Sequence, residues 1–385
     1  MNRLLSIGFS TLLGLLAGAV GAVPVPAAPV PDAPAPAAGK PIDVVICLDV
    51  SGSMNGLIDS AKTKLWDIIN DLAKAKPTPQ LRVGLYSYGH TSYDPKAGWV
   101  RKESDLITDL DVIYQKLFAL TINGGTEYVA RVCRDAVEDQ KWSEDKDALK
   151  IIFVAGNEPA TQDKEVTLNE VAAKAKAKGI IINTIYCKSP QFPNFRDWEE
   201  FAVLAGGKFM IIDQNRGTVA INTPMDKELT ELGARLNTTY VRYGKRAEEK
   251  AANQLKQDLN AAQAAPGVAA ARSVTKATAL YRNDDWDLVD RMKNDPTFDI
   301  TKLPESELSE EMRQMTPEQR VAHVKKMAAE REAIQKQIVE LNARRQAYIA
   351  EQMKKNPSAA DKAFDEAVRS TLREQAAAKG IKIPD

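Results

Sequence analysis

The five residues Asp49-Val50-Ser51-Gly52-Ser53 put a carboxylate and two hydroxyls on one tight turn of chain. Oxygen donors of this kind suit a hard divalent cation, since Mg2+ prefers near-octahedral oxygen coordination at about 2.0–2.1 Å. Gly52 lets the backbone turn sharply, and a helix starting just beyond would aim its first amides at the same place. The same residue types also make a helix N-cap, where Asp and Ser are preferred. Context separates this turn from an ordinary cap. An apolar strand-like run precedes it, and a second hydroxyl-bearing loop, Asn123-Gly124-Gly125-Thr126-Glu127, lies downstream.

Loops that meet in space need elements to hold them. Residues 42–50 are apolar and β-rich, and residues 57–73 carry helical spacing through Leu57, Ala61, Leu65, Ile68, Ile69 and Leu72. Residues 81–88 read as the next strand, 99–101 as a short edge strand, 110–120 and 128–139 as helices, and 150–155 as a buried strand. Thr167, with Glu170 three places on, opens a helix as a capping box, and Gly179 closes it. Strand 180–186, helix 198–204, the pair Gly206-Gly207 and strand 208–212 follow, and helix 226–236 ends the series. Strands apolar on both faces, alternating with helices, predict an α/β domain: a doubly wound, mainly parallel sheet covered on both sides. Ligands in such sheets bind beyond the carboxyl ends of the strands. The chemistry is therefore expected just after Val50, near Thr126 and just after Ala155.

With those residues and elements in place, residues 41–225 resemble a von Willebrand factor type A domain, a Rossmann-like fold. The resemblance implies a metal-ion-dependent adhesion site in which Asp49, Ser51, Ser53 and Thr126 are the metal ligands and Mg2+ or Mn2+ is the cation. It also implies a protein or peptide partner whose acidic group completes the coordination. One departure stands out. The family carries an aspartate just after the fourth strand, usually in Thr-Asp-Gly, whereas this chain reads Ala155-Gly156-Asn157-Glu158-Pro159, with Gly156 at the aspartate's position. In the family that aspartate generally reaches the metal through water, so its loss removes nearby charge rather than a direct bond, a change of about 10–100-fold in metal affinity. A cation held with one carboxylate fewer is hungrier for an acidic group from a partner. Asn157 and Glu158 are the candidates to substitute in part.

Composition narrows the alternatives. Basic and acidic residues number 52 each, which removes the generic electrostatic reason to expect nucleic-acid binding. His90 and His323 are the only histidines, so a histidine-rich metal site is excluded. His90, in the loop after strand 81–88, falls on the same side of the sheet as the metal turn and reads as a solvated loop residue. Cys47, Cys133 and Cys187 are too few and too scattered for a disulfide framework or a zinc cluster. If the strand order is the family's, Cys47 and Cys187 sit on strands separated by a third, too far apart to bond, and read as buried free thiols. Trp66, Trp99, Trp142 and Trp198 show no stacking pattern and read as core or half-buried residues. There is no Ser-His-Asp arrangement, Walker loop or dinucleotide glycine fingerprint. Nothing supplies an identifiable base, and the chain reads as a non-enzyme, with a metal-assisted hydrolase as the weakest of three readings.

The two ends of the chain carry other signals. Met1-Asn2-Arg3, an apolar run over residues 4–20 and a small-residue exit have the pattern of a secretory signal peptide, residues 1–22, with cleavage after Ala19 or Ala22. The pattern suggests a bacterial exported protein, periplasmic, surface-bound or secreted, with no stable membrane insertion after cleavage. Residues 23–40 form a Pro/Ala-rich linker favouring polyproline II. The domain is assigned to residues 41–240. Residues 241–385 read as a helical region. Residues 237–244 leave the domain extended, 247–264 and 269–281 are helical, and Trp286 is placed to pack back on a neighbour. Thr316-Pro317-Glu318-Gln319 starts a long helix over about 317–355. Along it Met327, Ile334, Leu341 and Tyr348 repeat every seven residues as one seam of a coiled coil. The companion positions Val324, Arg331, Ile338 and Arg345 alternate apolar with basic, an imperfect seam. A hairpin against residues 361–378 is slightly preferred over a dimer, and oligomerisation through this region stays open. The function expected is an exported, metal-dependent protein-binding module for adhesion or assembly. The alternative is a structural scaffold with a degenerate metal site and helix-mediated assembly.

Overall fold

A computed structural model describes residues 39–55, 57–59, 68–188, 195–212, 222–355 and 359–384. The signal peptide, nearly all of the Pro/Ala-rich linker, Trp66 and most of the helix expected over 57–73 lie outside the described residues. Among those described, residues 58–59 and 68–72 are helical.

Strand β1 (Pro41–Asp49) explains the layering of the whole domain. Every residue from Ile42 to Asp49 is buried, and the strand's two-residue period sends alternate side chains to opposite faces. Ile42, Val44, Ile46 and Leu48 enter one apolar cluster, while Val45 and Cys47 enter a second on the other face. β2 (Gln80–Tyr88) and β4 (Leu149–Gly156) flank β1 in parallel, β5 (Ile180–Tyr186) and β6 (Phe209–Ile211) continue in parallel, and β3 (Val100–Ile107) closes the far edge antiparallel to β2. The sheet order is β3-β2-β1-β4-β5-β6, so the doubly wound, mainly parallel α/β architecture expected from the pattern is what the chain adopts. β3 is longer than the three residues expected at that edge. Arg101, Lys102, Glu103 and Asp105 break its apolar pattern, and charges of this kind keep an edge strand from recruiting another chain.

Helix α1 (Leu110–Ala119) covers the first face with Leu110, Ile113, Tyr114 and Leu117. α2 (Val129–Asp139), α3 (Leu168–Ala177) and α4 (Phe195–Leu204) cover the second. Thr167 and Glu170 form the expected capping box at the start of α3. After α5 (Asp226–Asn237) come α6 (Ala247–Ala264), α7 (Pro266–Lys276), α8 (Leu288–Asn294), α9 (Glu310–Arg313), α10 (Pro317–Lys355) and α11 (Ala359–Ala378). Pro266 fills the first position of α7, where its missing N–H costs nothing. Among the described residues no helix is long and apolar enough to cross a membrane.

The helical region and the sheet share one compact unit from Ala38 onward. Val368, Leu372 and Ala376 of α11 join the first apolar cluster, together with Ala261, Val268 and Leu280. Asn183 on β5 and Gln375 on α11 exchange two amide hydrogen bonds, 3.0 and 2.8 Å, in a buried setting. On the α1 side, Arg272 is buried between Asp111 (2.6 Å) and Asp258 (2.9 Å). Lys276 Nζ donates to Asp258 (2.6 Å) and to Asn237 Oδ1 (2.6 Å).

The seven-residue seam of α10 has a different use from the hairpin with residues 361–378 that its spacing suggests. Ile334, Ile338 and Leu341 pack with Leu229, Leu232 and Leu236 of α5 and Ala270 of α7. Val324 packs with Val241, Leu288, Ile300 and Met312, and Met327 lies against the same group. The basic companions that spoil a coiled coil are buried ion-pair residues here. Arg331 Nη1 donates to Asp287 Oδ2 (2.7 Å) and Asp290 Oδ1 (2.9 Å), and its Nη2 donates to Thr239 O (2.8 Å). Arg345 Nε donates to Asp226 Oδ1 (2.7 Å). Trp286 is 2 % exposed and stacks on Tyr240 at 5.3 Å, as its position suggested. Burial, with the neighbouring Asp287, pushes the Asp290 carboxyl up to about 6, against the pull of Arg331.

Removing Arg331 strands Asp287 and Asp290 in the interior. Arg331→Ala is expected to lower stability by about 3–5 kcal/mol, read as a shift of the urea unfolding midpoint. Arg331→Lys should recover only part of the loss, because an ammonium cannot reproduce the guanidinium fork.

Candidate functional site

The carboxyl end of β1 builds the site. Asp49 closes the strand with its side chain fully buried, and Ser51 N donates to Asp49 Oδ1 at 2.8 Å, holding the turn. Ser51 does not cap the short 3-10 turn Gly52–Met54 through its side chain. Its Oγ lies 2.9 Å from Ser53 Oγ instead. Ser53 Oγ donates to Asn157 Oδ1 (2.9 Å), and Asn157 Nδ2 donates back to Ser53 O (2.9 Å). Asn157, beyond the end of β4, therefore locks the second hydroxyl in place.

The 123–126 loop is brought to the same point by the backbone. Asn123 N donates to Val50 O at 3.0 Å. Gly125 lies so close to the end of β2 that a Cβ on it would stand 1.9 Å from Gly89 O. Thr126 is half-buried, while Ser53, Gly124 and Gly125 form an exposed rim. The structure thus brings Asp49, Ser51, Ser53 and the loop of Thr126 together at the predicted place.

Gly156 is a tight position. A Cβ there would lie 2.4 Å from Tyr88 Oη, 3.0 Å from Asp49 Oδ2 and 3.0 Å from Trp198 Cη2. Tyr88 Oη donates to Ala155 O at 3.0 Å, and Trp198 Nε1 donates to Glu158 O at 2.8 Å, so both rings are held. The space in which an aspartate side chain would begin is taken by the Tyr88 hydroxyl. Glu158, the other suggested substitute, has its carboxylate 3.7 Å from Lys188 Nζ.

Glu127 is the residue that pattern reading passed over. It is 9 % exposed, and Gln162 Nε2 donates to its Oε2 at 3.0 Å. Gly89, at φ 85°, shows where it sits: a Cβ on Gly89 would meet Asp49 Oδ1 at 3.1 Å, Glu127 Cγ at 3.2 Å and Ser51 Cβ at 3.2 Å. Its place directly after Thr126 was the available signal. Burial pushes the Asp49 carboxyl up to about 7, with Glu127 adding to the push, while the Ser51 hydrogen bonds and, less strongly, the nearby backbone amide of Asn157 pull it down. Glu127 is raised as well, first by burial.

The other sequence candidates fall outside the site. His90 Nδ1 takes the Ser92 amide at 3.1 Å and lies 2.8 Å from Ser92 Oγ, and its ring stacks on Tyr93 at 5.0 Å. Cys47, Cys133 and Cys187 are buried free thiols, with β4 between the strands that carry Cys47 and Cys187.

Whether a cation fits is decided by Asp49 Oδ2. This atom is buried and has no hydrogen-bond partner, and an orphaned carboxylate oxygen is costly unless something positive meets it. The turn that follows carries the Ser51 and Ser53 hydroxyls, oxygen donors of the kind a hard cation prefers. Among the described residues no three His, Cys, Asp or Glu side chains converge as a metal cluster, so a cation at this place relies on hydroxyl oxygens beside the carboxylate. The residues fit a hard divalent cation.

Fold and site together define a doubly wound α/β domain with an oxygen-lined adhesion-type turn at the carboxyl end of its central strand. Residues 43–215 match the von Willebrand factor type A domain model, and this part of the chain is a von Willebrand factor type A domain. Comparison with curated proteins gave no match. Among solved structures, the SpRpn10 VWA domain is similar at 19% identity and a TM-score of 0.36, over 45% of this chain and 88% of that one. Proximal thread matrix protein 1 of the mussel byssus, with a zinc-occupied MIDAS motif, is similar at 12% identity and a TM-score of 0.35, over 46% and 43%. The pilus adhesin SpaC of Lactobacillus rhamnosus GG is similar at 15% identity and a TM-score of 0.34, over 45% and 28%. The chain thus spans less than half of the mussel and Lactobacillus chains.

The Tyr88 contact yields a test. Gly156→Ala should cost about 1–3 kcal/mol by overpacking, and Tyr88→Phe in the same chain should recover part of it by removing the nearest atom. A double-mutant cycle in denaturant unfolding measures the coupling.

Proposed function

We propose that the chain is a metal-dependent protein-binding module, not an enzyme, in which the oxygens of Asp49, Ser51, Ser53 and Thr126 hold Mg2+ or Mn2+ and an acidic group of a partner completes the coordination. The observation that carries this reading is the buried, unpartnered Asp49 Oδ2 at the head of the turn that carries the Ser51–Ser53 hydroxyl pair. The bound cation would supply a Lewis-acidic point that attracts a carboxylate. This chain's residues do the rest. Ser51 N orients Asp49, and Asn157 fixes Ser53. The exposed rim of Ser53, Gly124 and Gly125 leaves the open side accessible to a macromolecule. Four protein oxygens leave about two positions of an octahedron for water or a partner. Von Willebrand factor type A domains commonly mediate metal-dependent protein interactions, which supports the general class.

The protein is also proposed to be exported, on the basis of the charged, apolar and small-residue succession over residues 1–22.

Two measurements test these readings. Partner capture by the full chain should be lost with EDTA, return with Mg2+ or Mn2+, and be abolished by Asp49→Ala. Capture that ignores both EDTA and Asp49→Ala would favour the scaffold reading instead. Protein recovered from outside the cytoplasm should begin at Val20 or Val23. An intact Met1 there would end the cleaved-leader reading.

A further inference from the structure

We propose that Glu127 supplies the second negative charge of the cation site, in place of the carboxylate that Gly156 lacks. The inference rests on the reading of the Asp49 turn as a cation site and deepens it.

Three contacts carry the argument. Glu127 Cγ, Asp49 Oδ1 and Ser51 Cβ crowd one point above the Gly89 Cα, each 3.1–3.2 Å from where a Cβ would stand. Gly89 admits this convergence because it has no side chain. The two acidic side chains border one point, one fully buried and the other nearly so, and the charge of Glu127 opposes that of Asp49 in the metal-free protein. The arrangement is unfavourable unless a cation offsets it. Glu127 has neutral partners, Gln162 Nε2 on Oε2 and the Ser51 hydroxyl; these steady a carboxylate without neutralising it. Asp49 Oδ2, on the Gly156 side of the same carboxylate, is buried and unpartnered, so no positive charge meets Asp49 there either.

The surroundings exclude the obvious rivals. Position 156 cannot carry a carboxylate without displacing the Tyr88 hydroxyl, which would stand 2.4 Å from the new Cβ. Asn157 is neutral, and both ends of its amide are engaged by Ser53. Glu158, whose charge also bears on Glu127, has Lys188 Nζ at 3.7 Å to offset it. Asp49 and Glu127 together neutralise a divalent cation, so the charge deficit implied by Gly156 is made up from the opposite loop. The metal-binding charge has moved from the end of β4 to the residue after Thr126, and the chain alone should hold the cation without waiting for a partner.

The experiment is calorimetric titration of metal-stripped full chain with Mn2+, using Glu127→Gln, Glu158→Gln and Asp49→Ala, with thermal melts in EDTA. The expected result is one saturable Mn2+ site that Glu127→Gln weakens about 10–100-fold and Glu158→Gln leaves unchanged. The metal-free Glu127→Gln chain should melt no lower than the native one, because repulsion with Asp49 has been removed. A residue with only a structural role would move affinity and melting temperature down together, and that outcome overturns the proposal. Equal Mn2+ affinity in native and Glu127→Gln chains, with loss in Asp49→Ala, overturns the role of Glu127 and leaves the site standing. No saturable binding by the native chain overturns both.

Discussion

A carboxylate at the end of a doubly buried strand governs this structure. β1 has no exposed face, so Asp49 at its tip cannot turn its side chain to bulk water, and the loops around it must supply what water would have. They supply a backbone amide from Ser51 for one oxygen and leave the other unmet. The remaining features of the site, the serine pair, the clamp from Asn157 and the close approach of the Gly125 loop to Gly89, are consequences of crowding donors and acceptors around that tip. Parallel topology makes the crowding unavoidable. β1, β2 and β4 run side by side, and all three end at the same edge.

The helical region is held to the domain by the same kind of constraint met in another way. Arg272, Arg331 and Arg345 are buried cations, and each reaches carboxylates on a different segment of chain. Such pairs contribute little net stability compared with well-packed apolar residues. They do enforce geometry, since a misaligned helix would leave a charge without a partner in a medium of low polarity. Apolar clusters bring α10 against α5 and α7, and the arginines select one register among those that apolar packing alone would tolerate.

Much of this was legible from residue pattern. Strands buried on both faces leave long apolar runs, and the runs over β1, β4 and β5 announced a parallel sheet. Capping residues placed the starts of α3 and α10 because Thr167 and Thr316 act locally, through hydrogen bonds three residues away. The metal turn was visible for the same reason: its donors are neighbours in sequence. What stayed hidden depends on distant segments meeting. Glu127 looks like any loop acid until the fold sets it beside Asp49. The Tyr88 hydroxyl that fills the space at Gly156 belongs to a strand whose pattern says only that it is buried. Arg331 and Arg345 read as faults in a coiled-coil seam because their partners, Asp287, Asp290 and Asp226, are far away along the chain.

The paired amides of Asn183 and Gln375 have a consequence for the order in which the chain can acquire its fold. β5 needs an acceptor and a donor from a helix 192 residues further on, and the apolar face beneath that helix includes β1 and β4 residues. During synthesis the sheet can pair its strands early, but part of one face stays uncovered until Val368, Leu372 and Ala376 have emerged. Closing so long a loop adds little to the free energy of the finished protein, since the entropic cost grows only logarithmically with length. It weighs more on rate, because contacts of high sequence separation form late. A fragment cut at the bounds of the family match, residues 43–215, would carry the adhesion-type turn intact and still lack the lid of its own core.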